Sequence, residues 1–176
     1  MVDKQRCHWA EKSNALCRYH DEEWGVFQTD ETALFEAMAL EIFQAGLRWE
    51  LILRYRPALR KSFYQFDPQR LAVVTPDFFE ARLRDETIIQ NRVKIQAVLI
   101  NAKIIASSIA HGEGLNQLIA SVMLDPMVPE EKMIREFESL MKAMGIRRMG
   151  PKTCRVFLMA VGRLEPHEEG CQWRKT

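Results

Sequence analysis

Apolar residues recur every three or four positions along most of the chain, the period of an α-helix, and strand-like alternation is rare. The pattern predicts a helix over 30–45 with Asp30 as its N-cap. A second is expected over 49–55, ahead of Pro57, and a third over 58–66, stopped by Asp67-Pro68. Thr75-Pro76 reads as a cap with proline at the first helical position, opening 77–83. The longest run, 89–111, ends at Gly112, and a short one follows over 115–123. Val128-Pro129-Glu130 opens a helix to about 144, and Pro151 opens the last, to about 161. The expected fold class is therefore all-α, with the two chain ends packing as one helical lobe and the middle as the other.

With 176 residues, 47% hydrophobic and 28% charged, the chain is long and apolar enough for one real core. A formal net charge of +1 means that any nucleic-acid surface must concentrate its cations locally. The start, MVDKQRCHWAEK, has no apolar signal region, and no apolar run approaches a membrane span. A cytoplasmic protein with no membrane partner is expected, and its four cysteines are expected to be reduced.

Cysteine and histidine gather at the two ends. RCHWAEKSNALCRYHDEEWG carries Cys7, His8, Cys17 and His20, and the tail HEEGC carries His167 and Cys171. Two thiolates and two imidazoles can close a tetrahedral metal site that ties the tail to the start. Spacing alone does not choose between Cys7 and Cys17, or between His8 and His20. Cys154, in an apolar helix, reads as a core thiol, and His111 as a helix-end residue.

In LFEAMALEIFQAGLRW, Glu41 projects along the edge of the apolar stripe, where an unpaired carboxylate is costly. Glu36 points the opposite way and reads as a solvated acid. Gly46 marks a helix end, Leu47 lies on the tight connection that follows, and Trp49 opens the next helix. Near the C-terminus, GIRRMGPKTC has the hGxxxhG form of a helix-hairpin-helix. Gly145 and Gly150 permit a tight turn there, and Arg147, Arg148, Lys152 and Arg155 supply local positive charge.

Together, RCHW (6–9), YHDEEWGV (19–26), FEAMALE with QAGLRW (35–49), FYQFDP (63–68), NRVKIQAVLINA (91–102), GIRRMGPKTC (145–154) and HEEGC (167–171) resemble the bacterial 3-methyladenine DNA glycosylase I family. The resemblance implies a single helix-hairpin-helix domain over 1–176. It implies a structural Zn2+ on Cys7, His20, His167 and Cys171, with His8 and Cys17 as bystanders. It places the base-recognising carboxylate at Glu41 and the pocket aromatics at Tyr19, Trp24 and Trp49. Leu47 falls where that family inserts a side chain into the duplex. The implied partner is double-stranded DNA with alkylated bases, approached as a monomer. The implied reaction is hydrolysis of the N-glycosidic bond of N3-methyladenine, leaving an abasic site without strand cleavage.

The chain departs from the family pattern at Leu16, at Ile42-Phe43, at Arg48, at Thr87 and Val93, at Arg148 and over MVPEEKMIREFE (127–138). These departures touch the expected pocket, wedge loop and hairpin and spare the metal set. The alternative reading they raise is a relative that binds lesions or DNA without excising a base.

Overall fold

The structure, a computed structural model, describes residues 5–122 and 127–174. Among these residues every regular element is helical. The order is α1 (Asn14–Glu22), α2 (Glu31–Gln44), α3 (Trp49–Ser62), α4 (Pro68–Ala72), α5 (Pro76–Leu83), α6 (Arg92–Ala110), α7 (Leu115–Val122), α8 (Glu130–Ala143) and α9 (Pro151–Ala160). Short 3-10 turns occupy Ala10–Lys12 and Tyr64–Phe66.

Side-chain caps fix several of the starts. Asp30 accepts the Ala33 N–H at 2.8 Å, as the pattern predicts, and Asn91 accepts the Lys94 N–H at 3.1 Å. The end expected at residue 123 lies outside the described residues, and Thr75 takes the N-cap position without a side-chain hydrogen bond.

Four elements differ from expectation. Asp67-Pro68, read only as a stop, also opens α4, where Asp67 accepts the Gln69 and Arg70 N–H groups at 2.9 and 3.2 Å. Helix α1 went unpredicted because polar and charged residues outnumber its apolar ones. Ser13 starts it by accepting the Leu16 N–H. Helix α3 runs straight through Pro57, where two separate helices were expected. Pro57 is exposed, so the carbonyl that its ring leaves without a donor can face water. Ile52 and Leu59, seven apart, hold both halves of the helix to the core. Beyond Ser62 the chain does not stay helical to 66. Tyr64, Gln65 and Phe66 take left-handed φ of 51°, 57° and 60°, and Phe63 and Phe66 stack at 5.7 Å inside the core.

One continuous apolar cluster joins α2, α3, α4, α6, α7, α8 and α9. At its centre α2 is buried around most of its circumference, from Leu34 to Phe43 with Ala37 partly covered. Helix α6, at 19 residues, is long and apolar enough to cross a membrane by length and composition. In the fold, Ile95, Val98, Ala102 and Ile105 of α6 are fully buried in the shared core. The chain ends meet: Gln172 N–H donates to the Gln5 carbonyl at 3.0 Å, and Trp24 Nε1 to the Pro166 carbonyl at 3.0 Å.

Candidate active site and metal centre

The four residues Cys7, His20, His167 and Cys171 are all buried, and their ligand atoms lie within 4.8 Å of one another. His20 Nε2 is 3.2 Å from His167 Nδ1 and 3.4 Å from Cys171 Sγ. His167 Nδ1 is 3.7 Å from Cys7 Sγ and 3.6 Å from Cys171 Sγ. A tetrahedral ion bonded at about 2.0 Å to nitrogen and about 2.3 Å to sulfur has N–N edges of about 3.3 Å and S–N edges of about 3.5 Å. These four separations therefore match the edges of such a coordination shell. The choice that spacing left open is made by the fold: His8 is exposed, and the Cys17 thiol bonds the Ala10 carbonyl at 3.2 Å. Asp21 sits 3.0 Å from the other nitrogen of His20 and is held by Arg6 at 2.7 Å, which orients the imidazole.

Next to this cluster an aromatic cleft of 310 Å³ opens, in the size range of small-molecule pockets (roughly 300–1,000 Å³). Tyr19 and Trp24 come from α1 and the turn after it, Glu41 from α2, Trp49 from the first turn of α3 and Lys152 from α9. Tyr19 lies 5.2 Å from the Trp49 ring and 6.0 Å from Trp24. The bond from Trp24 to Pro166 fixes its indole, so the tail that carries His167 and Cys171 also braces the cleft.

Glu41 is 4% exposed, and its carboxyl has no hydrogen bond or ion pair with any described residue. Burial pushes this carboxyl up to about 8. The Tyr19 phenol is held well above its usual value, by burial first and then by Glu41. Trp49 Nε1 is buried without a partner. Such groups are costly unless something binds them.

Glu36 is not the solvated acid that its place opposite Glu41 suggested. It is 7% exposed and receives Arg56 Nε at 2.7 Å and Arg60 Nε at 2.7 Å. Helix α3 covers that side of α2, and its arginines compensate the carboxylate.

The cleft has four walls that sequence reasoning did not assign: Trp9, Gln44, Val156 and Met159. Gln44 falls three residues after Glu41, on the same helix face, so spacing could have found it. Lys152, Val156 and Met159 share one face of α9, but nothing in the sequence says what that face meets. The departures at Ile42 and Phe43 are fully packed in the core, with Phe43 edge-on to Phe63 at 5.8 Å. Leu16 is buried on α1, and Arg48 is exposed at the N-cap of α3. None of these four lines the cleft, contrary to the expectation that they touch the pocket.

Between α8 and α9, Gly145 takes φ of +85° and Arg148 takes φ of +62°. Gly150 has an ordinary φ of −79°, and a Cβ there would meet open space, so the turn does not require glycine at that position. Ile146 and Met149 are buried while Arg147, Arg148 and Lys152 are exposed. The first turn of α9 has no side-chain cap. Arg155, offered as a free cation by the sequence, is paired with Glu130. Leu47 lies half-buried on the connection after Gly46, whose φ is +81°.

An all-helical fold carrying an aromatic cleft with an uncompensated acid inside it, and exposed arginines on the turn before α9, suits a class of proteins that take a cationic aromatic ring beside a polyanion. A family model described as methyladenine glycosylase matches residues 9–175, and the chain belongs to that family. It is 34% identical to DNA-3-methyladenine glycosylase 1 of Escherichia coli (strain K12) over 178 aligned positions, covering 95% of each chain. It is 32% identical to DNA-3-methyladenine glycosylase of Haemophilus influenzae, covering 94% of this chain and 96% of that one. A crystal structure of 3-methyladenine DNA glycosylase I superposes with a TM-score of 0.89 at 32% identity, covering 97% of this chain and all of the other.

Proposed function

We infer that this protein is a base-excision repair enzyme, a monofunctional DNA glycosylase that removes N3-methylated adenine from double-stranded DNA. The observation that carries this reading is the pair of unpartnered buried groups, Glu41 and Trp49 Nε1, in an aromatic cleft. N3-methylation makes adenine cationic and a good leaving group, so the site has little acid catalysis to do. It must hold a cation outside the helix, as base-flipping enzymes do. Tyr19, Trp24 and Trp49 offer faces and edges to the ring. The cation favours ionised Glu41, and the carboxylate accepts from the exocyclic amine. Neutral adenine keeps the amine hydrogen bond but gains neither the charge attraction to Glu41 nor the cation–π contact, and this difference is the selectivity.

In the reaction, water bonds to C1′ as the C1′–N bond breaks. The bonding pair leaves with the base and neutralises its charge, and the water proton goes to solvent. The products are free 3-methyladenine and an abasic site. Leu47 acts as the wedge that fills the vacated stack. Gly145, Arg147, Arg148, Gly150 and Lys152, read as a helix-hairpin-helix, hold phosphates without reading sequence. The metal on Cys7, His20, His167 and Cys171 is read as Zn2+. Four protein ligands close its coordination, so it supplies folding free energy rather than an activated water. A single helical domain is consistent with the continuous core. That Ile42 and Phe43 are packed in the core supports excision over binding alone.

The test is chromatography of bases freed from methylated duplex DNA. Release of 3-methyladenine far above that of unmodified adenine is expected, and equal release per site of the two would contradict the proposed selectivity.

A further inference from the structure

Helix α6 reaches both elements that the proposed function brings to DNA, and it does so with polar side chains on its buried side. Lys94, in its first turn, is 5% exposed. Its Nζ donates to the carbonyls of Phe43 at 2.6 Å and Ala45 at 2.7 Å. These lie at the C-terminal end of α2, where carbonyls lack partners within their own helix and a cation complements the dipole. The connection that follows is closed in the same way. Leu47 N–H donates to the Gln44 carbonyl at 2.6 Å, and Gln44 Nε2 donates back to the Leu47 carbonyl at 2.9 Å.

Seven residues further along α6, Asn101 is fully buried. Its Nδ2 donates to the Arg147 carbonyl at 3.0 Å, and its Oδ1 accepts the Arg147 N–H at 2.7 Å. One amide thus takes both backbone groups of a hairpin residue. Seven residues are close to two helical turns, so both side chains leave one face about 10 Å apart along the axis. Burial, then the nearby Arg148 guanidinium, holds the Lys94 ammonium below the usual lysine value. Packing alone would be served better by methionine or leucine at either position.

Building on the glycosylase reading, we propose that Lys94 and Asn101 are positioning residues that make α6 a rigid spacer. It sets the Leu47 connection and the Arg147 hairpin at one separation, so that gripping the duplex and filling the opened stack happen in register.

The experiment is single-turnover release of 3-methyladenine from methylated duplex DNA by the parent, Lys94→Met, Asn101→Asp and the double variant. Affinity for free 3-methyladenine is read from tryptophan fluorescence on the same preparations. Asn101→Asp keeps the shape and one of the two bonds. Each single change is expected to slow release roughly 10-fold or more, as small misplacements do, while free-base affinity stays within about 2-fold. The double variant is expected to be little worse than the poorer single one, because one geometry is broken once. Sites with no shared partners at this separation otherwise give additive losses. Lys94→Arg is expected to recover most of the rate.

Unchanged release by folded variants would overturn the spacer, as would additive losses or a parallel fall in free-base affinity. Should Lys94→Met fail to fold, Asn101→Asp alone decides, and normal release by it overturns the proposal. Absence of release by the parent overturns the glycosylase reading itself, a result distinct from all of these.

Discussion

Glu41, in the last turn of α2, and Trp49, the first residue of α3, line the same cleft, and neither the Glu41 carboxyl nor the Trp49 Nε1 has a partner among the described residues. A carboxyl and an indole N–H left bare in one cleft lower the stability of the empty protein. Each becomes favourable only against a ring that offers positive charge and an acceptor.

That cost has a pH signature. The Glu41 carboxyl is raised from 4.5 to about 8 by burial. Between those values the folded protein holds a proton that the unfolded chain has released, so stability falls as pH rises through the window. Above it the penalty is full. Glu41→Gln is expected to be more stable than the parent at pH 8.5, on the order of a few kcal/mol, and little different at pH 4. Urea denaturation at the two pH values checks this, and an equal gain at both would contradict it.

Trp49→Phe keeps an aromatic face, removes the orphaned donor and shortens the ring. Affinity for 3-methyladenine is expected to fall roughly 5- to 10-fold, the worth of one hydrogen bond, with thermal stability unchanged or slightly higher. Fluorescence titration and a melting curve measure the two. Full affinity in the variant would show that the indole N–H meets no acceptor.

The Cys/His cluster joins the first described residues to the tail, so loss of a metal held there should be felt by the whole fold. Elemental analysis is expected to give about one zinc per chain. Chelation, or Cys171→Ala, is expected to lower Tm by ten degrees or more, on the scale of structural zinc sites. A Cys17→Ala control should leave zinc and Tm unchanged, and zinc loss in that control would contradict the ligand set.

Changing Arg147, Arg148 and Lys152 together to Ala is expected to weaken binding to any duplex by a similar factor. The slope of log K against log salt should flatten by roughly two to three. Retention of both affinity and slope would remove the hairpin from the interface.

Much of this was legible in the chain. Asp30 announced α2, the Cys and His residues announced a buried cluster joining the two ends, and the position of Glu41 against the apolar stripe announced a buried acid. What was not legible depended on neighbours. Pro57 breaks a helix by local rules, yet α3 continues, because its proline faces water and its flanks are tied to the core. Glu36 and Glu41 look alike on one helix, and only the arginines of α3 make the first a paired ion and leave the second bare. Trp9 joined the cleft from a motif that had been read only for its cysteine and histidine. Lys94 and Asn101 were polar residues in an apolar helix, and their targets lie 51 and 46 residues away.

The central claim is that Glu41 holds a methylated, cationic adenine for excision. The direct measurement is the rate of 3-methyladenine release from methylated duplex DNA by the parent beside Glu41→Gln, both zinc-loaded and folded. The account predicts release by the parent and a loss of roughly 100-fold or more in the variant, the scale of removing one preorganised charge from a site. Equal rates for the two proteins, or no release by the folded parent, would contradict it.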